Sequence, residues 1–196
     1  MSQEQTPRYG MVIDLRQCIG CYACTVSCKS ENQVPLGVFR TWVKEVEVGA
    51  FPNVSRHFLP WLCNQCEDPV CVRNCPVGAT YKRADGITVI AQDECIGCRY
   101  CIASCPYGAR FINPETNTAS KCDFCVHRVE QGLVPSCVNT CVGRARVFGD
   151  LNDPESEISK LIARTPTQVL KPEAGTEPRV FYIGADTRVM TGGTNQ

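Results

Sequence analysis

The stretch Cys95-Ile96-Gly97-Cys98-Arg99-Tyr100-Cys101-Ile102-Ala103-Ser104-Cys105-Pro106 decides the reading of the whole chain. Three cysteines at two-residue gaps, a fourth after three more residues, then proline: this is the spacing of a loop around a cuboidal [4Fe–4S] cluster. The reason is geometric. Cys-x-x-Cys-x-x-Cys closes one tight loop, so three thiolates reach three irons while backbone N–H groups turn toward the sulfides. Gly97 leaves room for that close backbone approach. The fourth cysteine stands one helical turn on and faces away, toward a neighbouring cluster. One such run therefore predicts partner runs.

The chain supplies them. Group one, Cys18, Cys21, Cys24 and Cys28, repeats the spacing, with Lys29 where proline would follow. Group two, Cys63, Cys66, Cys71 and Cys75, has a middle gap of four residues containing Asp68-Pro69, and ends on Pro76. Group three is the opening stretch. Group four, Cys122, Cys125, Cys137 and Cys141, has a middle gap of eleven residues, and Val142 replaces the terminal proline.

Composition supports the same chemistry. Cysteine fills 16 of 196 positions, about 8%, a level that in a short secreted chain points to disulfides. A disulfide framework has no reason to place cysteines in four dense quartets, however. The segment 1–8 has no apolar stretch or cleavage-like site, so no secretory signal is expected. Zinc favours two separated Cys-x-x-Cys pairs, which only group four resembles. No uncharged run reaches the roughly eighteen residues of a membrane span, so a chain that stays out of the bilayer is expected.

With 20 basic and 20 acidic side chains the formal charge is zero, leaving no nucleic-acid or membrane-surface footprint. Four thiolates around an oxidised [4Fe–4S] core leave roughly two negative charges per cluster, so four clusters add roughly eight. Between Cys18 and Cys141 eleven Lys/Arg face eleven Asp/Glu. Backbone dipoles and local bases, with Arg73, Arg99, Arg110 and Lys121 as candidates, are therefore expected to carry that load.

The segments between the groups read as connectors. A strand is expected at 9–14, a turn-rich loop at 31–38, and a hairpin with strands at 39–48 and 54–59. Residues 80–90 read as strand, Asp-Gly turn, strand, and 110–121 repeat the pattern. Cysteine loop, helical stub and hairpin thus recur as an internal unit, the signature of duplicated ferredoxin modules. Further on, a helical stretch runs to Gln131, Asp153 caps a helix starting at Pro154, a last strand covers 179–183, and 191–196 form a loose or partner-wrapping tail. His57 and His127 are expected as surface or capping groups and Trp42 and Trp61 as packing. With no Ser-His-Asp set, phosphate loop or supported carboxylate pair, no catalytic residue is expected on this chain.

Together the groups resemble those of a known family, the four-cluster iron–sulfur subunit of the complex molybdopterin oxidoreductases. The similarity is carried by the group order and by Cys28-Lys29-Ser30-Glu31-Asn32-Gln33-Val34-Pro35-Leu36-Gly37-Val38. It is carried also by Cys75-Pro76-Val77-Gly78-Ala79, Cys105-Pro106-Tyr107-Gly108-Ala109, Lys121-Cys122-Asp123-Phe124-Cys125 and Phe148-Gly149-Asp150-Leu151. Within the family the chain looks closest to the polysulfide or thiosulfate reductase type, being compact and without the C-terminal membrane helix of the formate dehydrogenase type.

The resemblance implies an α+β fold of two packed ferredoxin-like modules, with short helices, β-hairpins and a C-terminal extension, holding four [4Fe–4S] clusters. It also selects a nested ligand exchange, one with four and two with three. Spacing alone leaves this open, because the gaps Cys75–Cys95 and Cys105–Cys122 are both short. Cluster 1 then takes Cys18, Cys21, Cys24 and Cys141 and faces the molybdenum subunit. Cluster 2 takes Cys122, Cys125, Cys137 and Cys28, and cluster 3 takes Cys63, Cys66, Cys71 and Cys105. Cluster 4, membrane-proximal, takes Cys95, Cys98, Cys101 and Cys75. Module A is 1–35 with 120–150, the hairpin insertion 36–60, module B 61–119, and the extension 151–196.

The implied partners are a catalytic subunit carrying molybdenum bis-pterin guanine dinucleotide and an integral-membrane quinone-binding anchor, in a complex able to dimerise. The chain is then a non-catalytic wire of anaerobic respiration. It lies peripheral on the bacterial cytoplasmic membrane, at the periplasmic face if exported with the catalytic subunit. Two other readings stay open: a free-standing polyferredoxin carrier, and the electron-transfer subunit of a hydrogenase, formate dehydrogenase or other molybdoenzyme.

Overall fold

Met11, Val12 and Ile13 are fully buried on strand β1 (Tyr9–Asp14), and their alternation divides the fold into two layers. Successive strand side chains point to opposite faces. Met11 and Ile13 enter the main core with Leu59, Leu62, Phe124, Val180 and Tyr182, whereas Val12 enters a smaller cluster with Ile158 and Ile183. The fold is that of a computed structural model that describes residues 6–191. Residues 1–5 and, but for Thr191, the expected tail lie outside the described residues.

From β1 the chain enters helix α1 (Ala23–Glu31), then the long strands β2 (Thr41–Ala50) and β3 (Asn53–Leu62). These pair antiparallel from Thr41 opposite Leu62 to Ala50 opposite Asn53. The hairpin is longer than the sequence suggests because Pro60 lies inside β3. A two-stranded ribbon has only edge strands, where proline's missing N–H costs no ladder bond. Two short units follow, each a single-turn helix and a three-residue hairpin: α2 (Val70–Arg73) with β4 (Thr80–Lys82) and β5 (Thr88–Ile90), then α3 (Tyr100–Ala103) with β6 (Arg110–Ile112) and β7 (Ala119–Lys121).

After group four's two short helices, α4 (Val126–Val129) and α5 (Ser136–Asn139), come β8 (Arg146–Asp150), α6 (Glu157–Arg164), a 3-10 turn at Pro172–Ala174, β9 (Val180–Ile183) and α7 (Thr187–Met190). β1 pairs antiparallel with β8 and parallel with β9 in the largest sheet, of three strands. The result is a small mixed α/β fold of short helices and small sheets.

The helix α6 packs Ile158, with Leu161 and Ile162 beside it, under Val12. Residues three and four apart share one helix face, and Gly149 of β8 permits the close approach, since a Cβ there would stand 3.0 Å from Ile158. Its cap differs from expectation. Ser156 Oγ accepts from Ser159 N–H at 3.3 Å, while Asp153 Oδ1 accepts from Glu155 N–H at 2.8 Å. Asp153 therefore closes a turn through Pro154 and leaves the cap to Ser156. Ser156→Ala is expected to cost ~1 kcal/mol, and Asp153→Ala less than half of that. Thermal unfolding of the cluster-loaded chain measures both, and the reverse order would return the cap to Asp153.

Candidate metal centres

Groups one and three share one backbone shape. Gly20 and Gly97 each have φ of +67°, and Tyr22 and Arg99, at φ 58° and 68°, are left-handed residues that start α1 and α3. Left-handed non-glycine residues are strained and gather at binding sites. A Cβ on Gly97 would meet Asn117 O at 2.5 Å, so glycine is required there. The turns after groups two and three are also alike. Cys75-Pro76-Val77-Gly78-Ala79 and Cys105-Pro106-Tyr107-Gly108-Ala109 both carry left-handed glycines. Burial raises the Cys75 thiol, but N–H groups of Thr80, Val77 and Ala79 outweigh it and hold the thiol below its ordinary value. Lys29 replaces proline because α1 runs on to Glu31. Its Nζ donates to the carbonyls of Pro35 at 2.7 Å and Val38 at 2.8 Å, fixing the loop that follows.

Strand pairing brings distant cysteines together. β1 ends four residues before Cys18 and β8 begins five after Cys141. Ile13 lies opposite Arg146, and Asp14 N–H donates to Ala145 O at 2.7 Å. Cys18, Cys21, Cys24 and Cys141 consequently line one void of about 370 Å³, mouth included, together with Arg146. Cys63, Cys66, Cys71 and Cys105 line a second, of about 360 Å³, with Arg110 and Thr176. The two voids match in size and in donors. Asn32 Nδ2 stands 3.6 Å from Cys28 Sγ and 3.7 Å from Cys125 Sγ, and α1 packs against α5. That brings Cys28 to Cys122, Cys125 and Cys137. The packing of α2 against α3 brings the segment ending at Cys75 to the one carrying Cys95, Cys98 and Cys101.

All sixteen cysteines are unbridged, and among the described residues no three His, Cys, Asp or Glu side chains gather as around a single ion. The donor set suits iron–sulfur groups in a further respect. Thr25 Oγ1, Ser27 Oγ, Ser104 Oγ and Arg146 Nε are buried polar atoms beside these cysteines without protein partners, and sulfides are acceptors such donors would satisfy. Burial pushes the Cys28 and Cys66 thiols up to about 12, with neighbouring cysteines adding to it. Such sulfurs need a cation or a metal beside them to be thiolates.

Of the bases expected to compensate, Arg110 is buried and donates to Cys71 Sγ at 2.8 Å and Thr80 Oγ1 at 3.2 Å. Lys121 is buried and donates to the carbonyls of Thr88 and Cys122. Arg73 points outward and pairs with Asp68 at 3.1 Å, and Arg99 is exposed. Arg146 had not been expected: it donates to Cys137 Sγ at 3.5 Å and Thr41 Oγ1 at 3.1 Å. A legible signal existed, since it follows Cys141 by five residues as Arg110 follows Cys105. Gln65, also unexpected, joins groups two and four by donating to Cys122 O at 2.8 Å and accepting from Thr88 N–H at 2.9 Å. His57 bonds Ser55 at 3.0 Å and His127 bonds Glu31 at 2.8 Å, both away from the voids. Trp42 and Trp61 stack across the hairpin at 6.4 Å, and Trp61 donates to Tyr107 O at 2.7 Å.

Comparison with known proteins agrees with this chemistry. Residues 54–151 match the 4Fe-4S dicluster domain family. The B subunit of the tetrathionate reductase of Salmonella typhimurium is 54% identical, over 94% of this chain and 75% of its own. The B subunit of the selenate reductase of Mesobacillus selenatarsenatis is 46% identical, over 88% and 70%. The corresponding B component of the polysulfide reductase of Wolinella succinogenes is 42% identical, over 90% and 94%. With sixteen unbridged cysteines gathered around matching voids and relatives of this kind along nearly its whole length, this protein belongs to the family of 4Fe-4S iron–sulfur (B) subunits of the molybdopterin reductases.

Proposed function

We propose that the chain relays electrons through four [4Fe–4S] clusters, between a quinone-reactive membrane subunit and a molybdopterin catalytic subunit. One observation carries this reading. Of the sixteen cysteines, Cys21 and Cys98 are the two that are exposed, and they belong to the first and third groups. Each has apolar residues in the open next to its quartet: Ile19 and Val142 at one, Ile96 and Tyr100 at the other. Exposed apolar collars of this kind suit partner contacts. Two exposed quartets, with the remaining cysteines buried or half-buried, suit a chain that passes charge through itself.

In this reading the ligands are nested as the resemblance implies, with Cys18, Cys21, Cys24 and Cys141 at the catalytic end and Cys95, Cys98, Cys101 and Cys75 at the membrane end. The two voids, the Asn32 bridge and the helix contacts support that grouping, and with it two ferredoxin-like modules, one closed by the chain's two outer quartets. The bound clusters supply one-electron carriage. The chain's own residues hold them with thiolates, direct N–H groups at the sulfur and exclude water. Among the described residues no group is arranged for substrate chemistry, and in this reading the reduction falls to the partner.

Among the described residues no helix is long and apolar enough to cross a membrane, so attachment, at the periplasmic face in this reading, falls to the anchor. For the substrate we favour a sulfur compound, because relatives at 54% and 42% identity are named for tetrathionate and polysulfide. A selenium oxyanion is the second reading, from the relative at 46%. Reduction assays of the purified complex with tetrathionate, polysulfide and selenate separate these. Reduction of selenate alone would sink the sulfur assignment.

Anaerobically purified chain is expected to hold about sixteen irons and sixteen acid-labile sulfides. Eight irons, or zinc at group four, would refute four clusters. Cys98→Ala is expected to convert or remove one centre, leave three EPR signals and block quinone-linked turnover. Survival of that turnover after loss of the centre would remove it from the membrane end.

A further inference from the structure

Five charged side chains are buried among the described residues: Asp14, Arg110, Lys121, Arg146 and Arg179. Asp14 pairs with Arg16 at 2.7 Å, and Arg179 lies 3.5 Å from Glu67. No ion pair among the described residues includes Arg110, Lys121 or Arg146. Burying a cation without an anion is costly, so three such residues in one small fold call for negative partners. Their positions say which.

Arg146 lines the void of Cys18, Cys21, Cys24 and Cys141, and also donates to Cys137 Sγ at 3.5 Å. It therefore touches the first and second sites. Lys121 directly precedes Cys122, donates to that residue's carbonyl at 2.8 Å and joins β7 to β5 through Thr88. Thr88 also lines the void of Cys63, Cys66, Cys71 and Cys105, so Lys121 stands between the second and third sites. Arg110 lines the void of Cys63, Cys66, Cys71 and Cys105 and donates to Cys71 Sγ at 2.8 Å. It also donates to Thr80 Oγ1 at 3.2 Å, and Thr80 N–H donates to Cys75 Sγ at 3.5 Å, so Arg110 stands between the third and fourth sites.

The two arginines are built alike. Each follows the last cysteine of its group by five residues and opens a strand. Each gives one amine to a third cysteine, Arg146 to Cys137 of its own group and Arg110 to Cys71 of group two, and the other to a threonine hydroxyl, of Thr41 or Thr80.

We propose that Arg146, Lys121 and Arg110 are positioning residues, one at each of the three junctions in a line of four clusters, each sharing its charge between the two centres beside it. This rests on the four-cluster reading above. An added electron is more stable beside a fixed cation, and low dielectric strengthens the effect. A cation shared by two centres raises both potentials together. The step between neighbours then stays nearly level, where adjacent anions would otherwise make each reduction oppose the next.

The test is an EPR-monitored redox titration of the cluster-loaded chain in its complex, comparing Arg146→Gln, Lys121→Met and Arg110→Gln with the unmodified protein. Each neutral variant should lower the potentials of two centres and leave the other two in place. The expected change is at least tenfold in the reduced-to-oxidised ratio at fixed potential, ~59 mV for one electron. Arg146→Gln and Lys121→Met should share one affected centre, Lys121→Met and Arg110→Gln another, and the two arginine variants none. Arg146→Lys and Arg110→Lys, which keep the charge, should restore the original potentials.

A variant that moves no centre, or all four alike, overturns the proposal, as does failure of lysine to restore. If a glutamine variant does not load iron, Arg→Met at the same position provides a second neutral side chain. Loading by the lysine variant but by neither neutral one supports the charge requirement, and loss of loading in lysine as well overturns it. Unmodified chain with fewer than four centres overturns the cluster reading and the proposal with it. Four centres without paired shifts overturn the proposal alone.

Discussion

The constraint on which this fold depends is the burial of sulfur that must become anionic. Desolvation alone raises thiols such as Cys122 and Cys137, and an apolar interior would keep them protonated. The chain cannot answer with net charge, which is zero. It answers locally. Proline–glycine turns direct N–H groups at Cys75 and Cys105, with burial only partly offset at the latter, and buried arginines meet Cys71 and Cys137. These devices are made of backbone shape, and so the strained left-handed residues Tyr22 and Arg99 sit where loops must curl around a metal group.

The same constraint explains why so much of the molecule is given to covering the groups. Cys24, Cys63, Cys122 and Cys137 belong to the main hydrophobic core beside Met11 and Phe124. Folding and metal binding are therefore expected to be coupled, as in other small metal-held domains. The C-terminal segment takes part. Glu67 N–H donates to Glu177 O at 2.8 Å, Arg179 N–H to Asn64 O at 3.0 Å, and Thr176 lines the void of group two. That segment is a strap across group two and continues into β9, which completes the central sheet.

What could be read from the sequence followed from local rules. The cysteine spacing, the Asp85-Gly86 hairpin and the repeat at 110–121 depend on a few adjacent residues, and the strands appear where those residues put them. β8 was harder to see. Arg146-Val147-Phe148-Gly149-Asp150 opens on a charge and contains glycine, so it lacks strand alternation. It is a strand because β1 lies beside it and because Gly149 admits Ile158. Group four's expected helical stretch to Gln131 is the short α4, ending at Val129 before the left-handed Gly132, and a second short helix that was not expected, α5, starts after Pro135. Arg146 escaped notice for a related reason. A charge count bounded by the first and last cysteines stops five residues too soon, and only pairing across more than a hundred residues carries it back to Met11.

Strand register and electrostatics are thus one problem in this molecule. Ile13 is opposite Arg146, so the two side chains share a face, and Arg146 Nη1 lies 3.8 Å from Met11 Sδ on its way to Cys137. A slip of one residue turns every side chain to the other face. Arg146 would then enter the cluster of Val12, Ile158 and Ile183, where no hydroxyl, sulfur or carboxylate from that cluster could meet it. The cost of burying a bare cation there, several kcal/mol, is comparable with or larger than the ~1.5–3 kcal/mol gained by burying one aliphatic side chain. Electrostatics therefore enforces the register that places Cys141 beside Cys18. The place of Cys141 beside Cys18 and that of the Arg146 charge are fixed by the same two strands.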